Sequence, residues 1–126
     1  MTVVGSTGYC NSAESHCDTL DEFVNWLDSS GGLAILAHPG QYGSNIWSNF
    51  MFKKTPRIIG MELWNRNNNY YTRTGQDGIR YYDEALQEGW KIGAAGGQDN
   101  HDESWGTMNT ARMAVLATEL SREGIM

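Results

Sequence analysis

One run of five residues constrains this chain more than any other feature. "LAILA" (residues 33–37) is apolar without interruption, and lacks the polar–apolar alternation of a strand with one wet face. A run of this kind suits a strand covered on both faces, as in a parallel sheet. It stops at "HPG", residues 38–40. Two further strands are expected in "RIIGMELW" (57–64) and "WKIGAA" (90–95), and a fourth in "ARMAVLAT" (111–118).

Helical patterns separate these runs. "DTLDEFVNWLDSSGG" spaces Leu20, Phe23, Val24 and Leu27 as one face of a helix, with Asp18 or Thr19 to cap its start and Gly31 with Gly32 to end it. "NIWSNFMFKK" suggests a second, short helix. "QDGIRYYDEALQEG" places Ile79, Tyr82 and Leu86 on one face before a stop at Gly89. "ELSREGIM" begins another helix, with Ser121 as its N-cap. Helix and strand therefore alternate, which implies right-handed crossovers and a mostly parallel α/β sheet.

The 126 residues suffice for one small domain, and 40% apolar with 11% aromatic content argues for a globular core rather than disorder. No apolar run reaches the roughly 18 residues of a membrane span, and "MTVVGSTGYC" lacks the pattern of a signal peptide. The expectation is a cytoplasmic protein without a membrane partner. A net charge of −6 with scattered lysines and arginines gives no footprint for nucleic acid. Cys10 and Cys17 flank His16 in a polar segment. A disulfide there needs an exported protein, and a Cys/His metal site needs a fourth ligand, so two free thiols are expected.

In sheets of this type ligands gather beyond the carboxyl ends of the strands. His38 follows the first strand, Glu62 lies near the end of the second, and Asp99 with His101 follows the third in "GGQDNHDESWG". Each has an ordinary explanation: a loop histidine, a Glu62–Arg66 pair, an Asp99 that bonds its own backbone. Together they compose a partial shell for Zn²⁺, Mn²⁺ or Fe²⁺, since Asp99 and His101 project to one side when that segment is extended. Gly96 and Gly97 allow the backbone to turn tightly just before them.

The ordered motifs "GGLAILAHPG", "IIGMELWN", "GAAGGQDNHDESWG" and "ARMAVLATELSREGIM" resemble the C-terminal half of a PHP (polymerase and histidinol phosphatase) domain. The resemblance runs from about residue 20 to residue 126, leaving 1–18 as a polar N-terminal segment and 19–126 as the PHP-like half domain. It implies a partial, distorted (β/α)7, TIM-like barrel with about half of the barrel present. It also implies one to three divalent ions, and hydrolysis of a small phosphorylated substrate, a phosphomonoester or phosphodiester, by metal-activated water. Carried over by position, His38, Asp99 and His101 become metal ligands. Glu62 and Asn65 match the family's Glu-x-x-Asn segment and become the catalytic pair, while Trp105 and Gly106 form a pocket wall. Arg66 and Arg73 are the basic residues that can hold a phosphate.

The family's N-terminal His-x-His motif is absent, and so are its mid-domain His and Glu ligands. The chain is thus expected to be a fragment whose open sheet edges favour a homo-oligomer or pairing with a missing N-terminal half. The alternative function is a non-catalytic PHP-like remnant or interaction domain that binds metal weakly or not at all. A third reading, a sugar- or aromatic-binding module, rests on Trp47, Trp64 and Trp105.

Overall fold

Thr19 starts the first helix, α1 (Leu20–Ser30), with a capping box. Its hydroxyl accepts the Glu22 N–H at 3.2 Å while the Glu22 carboxylate accepts the Thr19 N–H at 2.9 Å. Gly31 ends the helix at φ 77°, a left-handed turn that any side chain would strain. Arg57 Nη1 donates to the carbonyl of Gly31 at 2.9 Å, placing a cation on the negative end of the helix. The helix buries Val24 and Leu27, two of the four residues of the apolar spacing. This computed structural model describes residues 1–11, 13, 17–40, 45–65, 69–70, 78–100, 103, 107 and 112–125, with only the backbone of 69–70.

The protein is a mixed α/β fold around a mostly parallel sheet. Strand β1 (Thr2–Val4) pairs antiparallel with β2 (Leu33–Leu36), and β2 pairs parallel with β3 (Ile58–Asn65). A short strand, β4 (Asn69–Tyr70), lies antiparallel to the end of β3. After helix α2 (Gly78–Gln87), β5 (Gly93–Gly96) pairs parallel with β3 along its other edge. The polar N-terminal segment thus contributes a strand, and Val3 packs against the core.

The three expected apolar runs became β2, β3 and β5, running in one direction with β3 in the middle. Leu36, Ile58 and Met61 pack with Val24, Leu27, Phe50, Tyr81 and Trp90. Burial of that many large side chains supplies the main drive to fold. Trp90 sits in this core with its indole N–H satisfied by the carbonyl of Phe50 at 3.0 Å.

Four local expectations are corrected. The run 112–117 has no regular structure and is exposed, so no fourth strand occupies its described residues. Helix α2 buries Tyr81 and Ala85 instead of Ile79 and Leu86, which are 40% and 42% exposed. Tyr81 offers the larger apolar area to the core, and the ring of Tyr82 keeps a half-buried place through its hydroxyl bond to the carbonyl of Ile92 at 2.9 Å. In place of a second α-helix stands a single 3₁₀ turn, Ser48–Phe50, in which all three residues have positive φ. Complete burial of Phe50 offsets the cost of that backbone. Finally, Cys10 and Cys17 form a disulfide, not a pair of free thiols. Among the described residues no helix is long and apolar enough to cross a membrane. Ser121 does cap the last helix, α3 (Arg122–Ile125), accepting the Gly124 N–H at 3.0 Å.

Candidate metal centre

Parallel pairing fixes where the chain delivers its candidate ligand residues. Leu36 pairs with Met61 across β2 and β3, and Gly96 pairs with Trp64 across β5 and β3. His38, two residues beyond Leu36, and Asp99, three beyond Gly96, therefore leave the sheet at the same edge on either side of β3. Glu62 and Asn65 come from the last half of β3 itself.

Glu62 links the two flanking loops. Its Oε2 accepts the backbone N–H of His38 at 2.8 Å. Its Oε1 lies so close to Gly97 that a Cβ there would come within 2.9 Å of it. The Gly97 N–H in turn donates to the carbonyl of Trp64 at 2.8 Å, holding the loop after β5 against β3. Glycine at position 97 thus allows a close approach to the end of the Glu62 side chain, and that contact is invisible in the sequence. Burial pulls the Met1 amine below its usual value, and the charge of Glu62 partly restores it.

Both described candidate ligands, His38 and Asp99, have unusual backbones. His38 has φ 35° and Asp99 has φ 49°, in the left-handed region that non-glycine residues seldom occupy. At His38 the following Pro39 is fully buried and restricts the residue before it further. Strain of this kind clusters at sites where the surrounding structure holds a residue in place for use. Both side chains are half-buried, at the boundary between sheet edge and solvent.

Asn65 closes β3 at 4% exposure, and its side-chain Oδ1 is buried without a hydrogen-bond donor. A buried carbonyl oxygen of that sort is costly unless something accepts its lone pairs. A divalent cation or a donating substrate group fits that requirement, and imidazole with carboxylate is a fitting donor set beside it. Among the described residues, however, no group of three His, Cys, Asp or Glu side chains is assembled to hold an ion.

Of the residues singled out from sequence, His38, Glu62, Asn65 and Asp99 are brought to one edge. His101, Trp105, Gly106, Arg66, Arg73 and His16 lie outside the described residues. Trp47 does not face this edge as an open stacking surface. It is 8% exposed, and its indole N–H donates to the carbonyl of Ala37 at 3.1 Å, beside His38. No protein-family model, characterised sequence or solved structure matches this chain.

Proposed function

We propose that the chain is a PHP-like, metal-dependent phosphoesterase module built as part of a TIM-like barrel. Its site would hold Zn²⁺, Mn²⁺ or Fe²⁺ through His38, Asp99 and His101. The single observation that carries the reading is Glu62, whose carboxylate joins the backbone of His38 to the loop that presents Asp99. Glu62 acts as a positioning residue: it sets the spacing of the two ligand loops before any ion arrives. The bound ion would supply Lewis-acid activation of water and charge stabilisation at phosphorus. Asn65 would offer its buried Oδ1 to the ion or to a donor on the substrate. The substrate class is a small phosphate ester, and a second chain, identical or supplying the missing N-terminal ligands, would complete the shell.

The experiment is metal analysis joined to hydrolysis of a generic aryl phosphate. Stoichiometric metal, with both metal and turnover lost in His101→Ala, supports the enzyme. A second reading is a non-catalytic PHP-like remnant that binds metal weakly or not at all. Absence of bound metal after loading with each of the three ions would establish it in place of the first.

A further inference from the structure

The backbone around His38 is fastened at three successive residues. The Ala37 carbonyl accepts the indole N–H of Trp47 at 3.1 Å, and the His38 N–H donates to Glu62 Oε2 at 2.8 Å. The Pro39 carbonyl accepts the Ile46 N–H at 3.2 Å. Two of these ties come from residues 46 and 47, immediately before the 3₁₀ turn Ser48–Phe50.

We propose that Trp47 is a second positioning residue for His38, partnered with Glu62 and held in place by the left-handed turn that follows it. The use of this clamp rests on the metal reading, whereas the clamp itself belongs to the metal-free chain. The Ala37 carbonyl and the His38 N–H are the two polar ends of one peptide unit. That peptide is trans, so the two groups point in opposite directions. Trp47 holds one end and Glu62 the other, and a peptide plane gripped at both ends cannot turn. His38 stands at φ 35° before Pro39, where a released backbone would relax toward the extended conformation that residues before proline prefer. Such a change of φ redirects the Cα–Cβ bond, and the imidazole with it.

The turn explains why Trp47 is an accurate donor. Ser48, Asn49 and Phe50 have φ of 48°, 50° and 62°, a conformation that costs free energy at each non-glycine residue and persists only where its surroundings enforce it. Phe50 supplies that enforcement: its side chain is fully buried, and its carbonyl accepts the Trp90 indole N–H at 3.0 Å. The Phe50 N–H donates to the Trp47 carbonyl at 2.7 Å, and the Trp47 N–H donates to Asn45 Oδ1 at 2.9 Å. The backbone of Trp47 is therefore fixed on both sides. At 8% exposure its ring is closely packed as well, and a packed ring keeps its rotamer. Core, turn, indole and peptide form a continuous chain of contacts that ends at His38.

The test compares the wild-type chain with Trp47→Phe, which keeps an aromatic ring and lacks the N–H. In metal-free protein, amide exchange followed by NMR is expected to become about tenfold faster at His38, the loss expected for one hydrogen bond. The Ala34 amide, bonded to the Arg57 carbonyl at 2.8 Å, should keep its wild-type rate. Affinity for Zn²⁺, read by calorimetric titration, should fall by a similar factor. Asn45→Ala, at a partly exposed position, removes only the acceptor of the Trp47 N–H and is expected to shift both readouts the same way by about two- to threefold. It carries the test if Trp47→Phe does not fold. Unchanged exchange at His38, or equal acceleration at His38 and Ala34, would reduce Trp47 to an ordinary core residue and overturn the proposal. Wild-type Zn²⁺ affinity in a variant with faster His38 exchange would overturn it too. If the wild-type chain binds no Zn²⁺, the metal reading fails, and the exchange ratio between His38 and Ala34 alone decides the clamp.

Discussion

Residues 33–37 and 112–117 look alike as sequence and end differently as structure. "LAILA" forms the strand β2, with Ala34 and Leu36 fully buried between two partner strands and the helix layer. "RMAVLA" is apolar at every position but Arg112, yet Met113, Val115 and Leu116 are 53%, 52% and 103% exposed. The difference is not propensity. β2 has β1 and β3 to complete its backbone hydrogen bonds, whereas residues 112–117 belong to no strand of the sheet. An apolar run becomes a strand when an edge and a covering layer are both present.

That contrast can be broken by substitution. Leu27→Ala, in the fully buried layer over β2, is expected to cost about 3 kcal/mol or more, measured by urea denaturation. The same truncation at Leu116 is expected to change stability by less than about 0.5 kcal/mol. A large loss at Leu116 would show that 112–117 is buried against something in solution, as a second chain would do.

The next effect in size is the disulfide. Replacing Cys10 and Cys17 together by serine is expected to cost about 2 to 3 kcal/mol, from the loop-closure entropy of a short ring. Thermal melting of oxidised and reduced protein measures it, and identical curves would mean that the segment is held by other contacts. Gly97→Ala comes next. The added Cβ would press on Glu62 Oε1, the movable end of a side chain already committed to His38. A stability loss near 1 kcal/mol is expected, with a much larger loss of metal affinity, read by titration with Zn²⁺.

How much of this was legible beforehand follows the same line. The spacing of Leu20, Val24 and Leu27, the Thr19 cap and the Gly31 stop determined α1 locally, and the structure has all of them. The three central strands were equally clear, because each is a short apolar run between turn signals. The face of α2 was not: Ile79, Tyr82 and Leu86 satisfy the helical period as well as Tyr81 and Ala85 do. Packing against Phe50 and Trp90 decided between the two stripes. At the candidate site, His38, Glu62 and Asp99 were visible as residue types at strand ends. The Glu62 bond to the His38 backbone and the close fit of Gly97 were not, since both depend on neighbouring strands. The Cys10–Cys17 disulfide is not legible, because the spacing of the two cysteines in a polar segment suits a bridge and two free thiols alike.

The smallest pH-dependent effect lies at Asp28, in α1. Thr55 donates to its carboxylate at 2.5 Å and holds its pKa below the usual carboxylate value, with Lys53 adding a contact at 3.2 Å. A lowered folded-state pKa means stability that is present above the unfolded value and is lost as pH falls through the folded one. Asp28→Asn is expected to destabilise by less than about 1 kcal/mol at pH 7, after solvent screening of this partly exposed group. The difference should vanish in strong acid. A pH-independent deficit would assign the effect to packing around Thr55 and not to charge.

The account stands most directly on a crystal of the protein soaked in Zn²⁺ and measured at the zinc absorption edge. It predicts one anomalous peak at the carboxyl edge of β2, β3 and β5, within about 2.0–2.2 Å of a His38 nitrogen and an Asp99 oxygen. A map with no peak there, or with those two side chains turned to opposite faces of the sheet, would contradict it.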